Sequence, residues 1–143
     1  MSITIWSMLL VVASQVAYHL AQKAIPAGAQ PFSVFAFVYV VGAVMCVVAA
    51  AATGSPVSVS NLRGVLGWPA CLLALSVVGI EIGYLLAYRS GWSLGITFAV
   101  ASTSTVVLLA LIGVALYAEV LSLRHLAGLA LALCGGWLLA GRA

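Results

Sequence analysis

Glu81 is one of two acidic residues in a chain of 143. It lies inside an apolar run from Val65 to Tyr88, with Ala, Leu, Ile, Val and Gly around it and no Lys or Arg in the run. An acid at membrane depth costs roughly 2.5 kcal/mol or more on insertion scales, so such a side chain turns toward a partner or a wet cavity. A carboxyl group placed in this way holds a proton or exchanges it for a cation. The competing role is a protonated strut, hydrogen-bonded to a neighbouring helix. Tyr84 and Tyr88, three and seven residues on, return to the same helical face. Each is able to hydrogen-bond the carboxyl group, to stack on a cation, or simply to pack. Gly79 and Gly83, two residues to either side of Glu81, point the opposite way, and their four-residue spacing suits close approach of another helix.

Three further groups of polar residues stand in apolar surroundings. Gln15, His19 and Gln22 follow at spacings of four and three, which places them on one helical face. His19 is the residue type that titrates near neutrality and relays protons, yet it stands one turn from Lys23, where an interfacial histidine with satisfied hydrogen bonds is equally reasonable. Gln15 lies deeper and is the better cavity candidate. Thr97 and the run Ser102-Thr-Ser-Thr105 put hydroxyls in a fourth apolar segment. Such hydroxyls bond back to the carbonyl of the preceding turn, or they line a substrate path, with Thr97 and Ser104 nearly on one face. Glu119 stands beside Leu-Ser at a segment edge near Arg124 and reads as a hydrated pair or a cap. Gly128, Ala132 and Gly136 form a small-residue stripe for helix packing or dimerisation.

The pattern excludes several chemistries. It contains no Ser/His/Asp constellation, Gly-rich phosphate loop, His-Glu-x-x-His motif or acid pair for hydrolysis. Cys46, Cys71 and Cys134 form no Cys-x-x-Cys pair and read as small buried apolar residues. The expectation is therefore a protein that is not an enzyme and that needs no cofactor or metal.

Composition dictates the elements that must carry these residues. Hydrophobic residues make up 66% of the chain and charged ones 5%, with a mean hydropathy of +1.31. That balance belongs to an integral membrane protein and not to a soluble domain. A spanning helix needs about 20 apolar residues, and five windows qualify: 3–21, 32–52, 65–88, 94–118 and 123–141. Backbone groups in hydrocarbon must be satisfied within the segment, which favours helices. The expected fold is one all-α, five-helix membrane domain over residues 1–143. The first window has no basic segment before it and no small-x-small cleavage site, so it is expected to remain as a membrane helix.

The five Lys/Arg residues are scattered singly, so they form no nucleic-acid patch and act as topological anchors. Five spans put Lys23, Arg89 and Arg142 on one side, and Arg63, Arg124 and the terminal amine on the other. So even a split permits a weakly fixed orientation or insertion both ways. Trp6, Trp68, Trp92 and Trp137 fall near segment ends, as interfacial anchors do.

The closing part of the chain carries a resemblance. Leu85-Leu-Ala-Tyr-Arg-Ser-Gly-Trp92, a Ser/Thr-containing apolar helix, and Tyr117-Ala-Glu119-Val-Leu-Ser-Leu-Arg124-His-Leu-Ala-Gly128 running on to Gly136 resemble the end of an EamA-type half in the drug/metabolite transporter superfamily. The five-helix pattern extends this resemblance over essentially the whole chain, in the manner of the single-half bacterial and archaeal branch. The resemblance implies half of an inverted-repeat transporter in a prokaryotic inner membrane, with substrate near the bilayer midplane. A lone half implies a homodimer, parallel or antiparallel, and a proton-coupled exporter of a small metabolite or cation. The four-helix small multidrug transporters of that superfamily carry their essential acid in the first helix; this chain has Gln15 and His19 there, so their mechanism does not transfer residue by residue. The rival expectation is a non-transporting scaffold, or a partner subunit that pairs with an unlike half-protein.

Overall fold

The computed structural model describes residues 2–55, 57–58 and 66–141, and among them the chain forms five helices and no strand. They are α1 (Ser2–Ala24), α2 (Pro31–Ala52), α3 (Trp68–Arg89), α4 (Leu94–Tyr117) and α5 (Leu123–Ala140). Each is long and apolar enough to cross a membrane. The protein is all-helical, with the build of a multi-pass membrane protein. The helices lie on the apolar windows: α2 ends at Ala52, α4 starts at Leu94 and α5 at Leu123. Gln22, Lys23 and Ala24 extend α1 beyond the apolar window. The expected start of the third span at Val65 lies outside the described residues, as do Arg63 and Arg142 from the charge argument.

Local chemistry sets the helix ends. Pro31 opens α2, where its missing N–H costs nothing, and the Gln30 side chain accepts the Ser33 N–H at 2.9 Å. Pro69 sits in the first turn of α3 for the same reason. Ser93 and Ser122 cap α4 and α5, each accepting the backbone N–H of its N3 residue. At α5 the box is reciprocal, since His125 Nδ1 accepts the Ser122 N–H at 3.4 Å. The turn between α3 and α4 closes on Gly91, whose φ of 96° is open to glycine at little cost. Trp92 N–H then reaches back to the Ala87 carbonyl at 3.2 Å.

The chain divides into two compact units. One comprises Met1–Lys23 with Ala87–Ala143, and the other Ala24–Leu86. Within the first, α4 and α5 run closely packed against each other. A methyl group on Gly136 would stand 3.3 Å from Thr103 Cγ2, so glycine permits that approach. Within the second, α2 and the body of α3 supply the buried residues Phe35, Glu81 and Leu85. Elsewhere the helices present large apolar side chains outward, among them Leu10, Phe37, Leu75, Leu116 and Leu131. In a bilayer those faces meet lipid or another helix. The three cysteines are on such faces too: each lies in a helix as expected, but exposed instead of buried.

Candidate functional site

In the second unit the site is built on α3. Glu81 is 7% exposed and Leu85, one turn on, is 1% exposed, while Gly79 and Gly83 are exposed on the other side of the helix. The two faces deduced from the spacing are thus distinct in their surroundings. The carboxyl face is the buried one, and the glycine face has no neighbouring atom within 4 Å of where a Cβ would stand. Tyr84 is half-buried. On α2, half-buried Tyr39 turns its hydroxyl toward the Glu81 carboxyl. Phe35, one turn before Tyr39 on the same face, is 4% exposed. An acid on α3 and a phenol on α2 therefore confront each other among apolar neighbours in their own helices. Such a pair can hold a proton or the cation that replaces it.

Tyr39 is not selected by motif spacing. Its signal is only that a lone phenol stands inside an apolar span, and nothing local says which helix it faces.

The first unit holds a polar-aromatic cluster. His19 is buried, and its Nδ1 lies 2.8 Å from the Tyr88 hydroxyl. The imidazole stands edge-to-face with Phe98 and Tyr18, with both ring centroids at 5.0 Å. Gln22, also buried, donates from Nε2 to the Tyr18 hydroxyl at 2.8 Å. Lys23 Nζ lies 5.9 Å from the Tyr88 ring centre and donates to the Trp92 carbonyl at 3.3 Å. Aromatic bodies surround the imidazole, while a cation rests on the ring of the phenol that bonds it. His19 and Tyr88, both read as candidates, come together here; Tyr18, Gln22 and Phe98 complete the cluster. Gln15 stays outside it, on an exposed part of α1.

The hydroxyls of α4 follow the backbone-bonding alternative. Thr97 Oγ1 donates to the Ser93 carbonyl, Ser104 Oγ to Val100 and Thr105 Oγ1 to Ala101, each at 2.8 Å. Thr97 is buried and Ser104 exposed, so shared angular position does not give them a shared environment. On α5 the small-residue stripe divides by depth: Gly136 meets α4, whereas a Cβ on Gly128 would touch nothing within 4 Å. Glu119 serves as part of a cap, its backbone N–H reaching the Gly113 carbonyl at 3.1 Å beyond a left-handed Ala118.

No family model, curated protein or solved structure matches the chain.

Proposed function

We propose that the chain is a five-span secondary transporter of the prokaryotic inner membrane, equivalent to one EamA-like half of an inverted-repeat transporter. The observation that carries this reading is the burial of Glu81 at 7% exposure within an apolar span, with the Tyr39 hydroxyl turned toward it. A buried acid that serves packing alone is replaceable by an apolar residue. One that binds a proton or cation is not. In the proposed cycle a proton on the Glu81 carboxyl and a cationic or amine-bearing substrate compete for the same oxygens. Release of the proton frees the site for substrate, and re-protonation expels it on the other side. Tyr39 and Tyr84 are the phenols placed to hydrogen-bond whichever occupant is present. The His19–Tyr88 pair, in its own cluster, is a second place where a proton can rest.

The unit of function is a homodimer. The open face of α3 at Gly79 and Gly83 is suited to a helix of a second copy, in parallel or antiparallel arrangement.

The deciding experiment reconstitutes wild type and Glu81→Gln in liposomes and follows substrate-driven proton movement with a pH dye, across amines, amino acids and sugars. Wild type is expected to release protons on addition of its substrate. The variant is expected to give none while keeping its helical content and oligomeric state. Equal transport by both proteins, with the same pH response, would sink the mechanism. Inactivity of wild type alone, together with co-purification of an unlike five-helix chain that restores activity, would favour a partner subunit.

A further inference from the structure

Between α4 and α5, both in the first unit, runs an open groove of about 690 Å³. That volume lies in the range of small-molecule sites, about 300–1,000 Å³. Its walls are apolar along most of their length, with Val106, Leu109 and Ile112 from α4 and Leu129 from α5. Its polar groups gather where the α4–α5 connection crosses the end of the helices, and they are Glu119, Arg124, His125 and Tyr117. The depth comes from small residues. Gly128 lines the groove, and a side chain there would find open space. Gly113 is buried beneath the Glu119 carboxylate, and a Cβ at that position would collide with it. Glycine at 113 therefore lets an acid lie in against the α4 backbone at the polar end of an apolar trough. His125 is occupied in the α5 cap through Nδ1, which leaves Glu119 and Arg124 as the acidic and the basic side chain at the mouth.

We infer that this groove is a binding site for a zwitterionic aminophospholipid, a lipid with an ethanolamine headgroup. The apolar trough follows two membrane-spanning helices and receives an acyl chain. Glu119 accepts hydrogen bonds from the primary ammonium, and Arg124 donates to the phosphate, for which its planar fork is suited. Charge complementarity selects this occupant among membrane lipids. A choline headgroup has no N–H to give the carboxylate, and a glycerol headgroup brings the phosphate charge without a cation to balance Glu119. The proposal stands whether or not the chain transports.

The test is native mass spectrometry of the delipidated protein in detergent, offered equal amounts of palmitoyl-oleoyl lipids with ethanolamine, choline and glycerol headgroups. Wild type is expected to retain the ethanolamine lipid over the choline lipid by about tenfold, the equivalent of one charge-assisted hydrogen bond. Glu119→Gln is expected to abolish that preference. Gly128→Leu, which fills the trough where the structure has room, is expected to lower retention of all three lipids while helical content stays unchanged. Equal retention of the three lipids by wild type, or a preference that survives Glu119→Gln, overturns the proposal. Competition by soluble glycerophosphoethanolamine as strong as that of the intact lipid would reassign the site to a water-soluble headgroup compound and overturn the lipid assignment.

Discussion

His19 and Tyr88 show how much a pair of residues depends on its surroundings. They are 69 positions apart and 2.8 Å from each other, both buried. Each is an ordinary interfacial residue when taken alone; joined, they are a hydrogen bond that water cannot easily replace. Tyr88→Phe removes the bond and leaves Nδ1 without that phenol. We expect a loss of about 1–3 kcal/mol, the cost of unsatisfying a buried polar group, measured by reversible unfolding in mixed micelles. The double variant Tyr88→Phe with His19→Leu should regain part of it, because both polar groups are then gone. Strict additivity of the two single losses would show that the bond contributes nothing. Glu81 and Tyr39 differ in kind: Glu81 announces itself in the sequence, as an acid among apolar neighbours. Tyr39 does not, since a single phenol in a span is equally consistent with packing.

At the scale of helices, the pairing of α4 with α5 illustrates what a small-residue stripe does and does not specify. Gly136 lets the helices approach Thr103, whereas Gly128 leaves a trough. The two glycines should therefore respond in opposite ways. Gly136→Leu must push Thr103 aside and is expected to cost about 1–3 kcal/mol through overpacking. Gly128→Ala meets no neighbour and is expected to stabilise by up to about 1 kcal/mol, the difference in helix propensity. Unfolding midpoints of the two variants in the same micelles check both signs at once. The start of α5 rests on Ser122, and Ser122→Ala should lose about 1 kcal/mol with the cap, read in the same assay. The stripe itself was legible in the sequence. Which glycine touches a helix was not, because periodicity fixes an angle around one helix and says nothing about distance to the next.

For the molecule as a whole, the exposed apolar faces require a bilayer, and the open α3 face leaves room for another copy. Gly79→Leu with Gly83→Leu would add side chains to that face, where a Cβ meets no atom within 4 Å. On the proposed homodimer, the double variant is expected to shift toward monomers in liposomes, counted by single-molecule photobleaching, with its helical content intact. An unchanged dimer fraction would place the interface elsewhere. Reporters of sidedness on both termini test mixed insertion, with signal from both compartments its expected outcome and signal from one compartment alone ruling it out.

The number of spans and most of their limits follow from the chain alone, because apolarity and capping act over a few residues and need no knowledge of the rest. The demand that Glu81 be sheltered is local in the same sense, since a carboxyl group in hydrocarbon is costly whatever surrounds it. Partnership is decided only in three dimensions. Tyr39 turned toward Glu81, His19 bound to Tyr88, and an acid folded over Gly113 all join segments whose separation along the chain carries no local signal. The exposed Gln15, and the divided fates of Thr97 and Ser104, have the same cause: a helical face acquires an environment only when another element covers it.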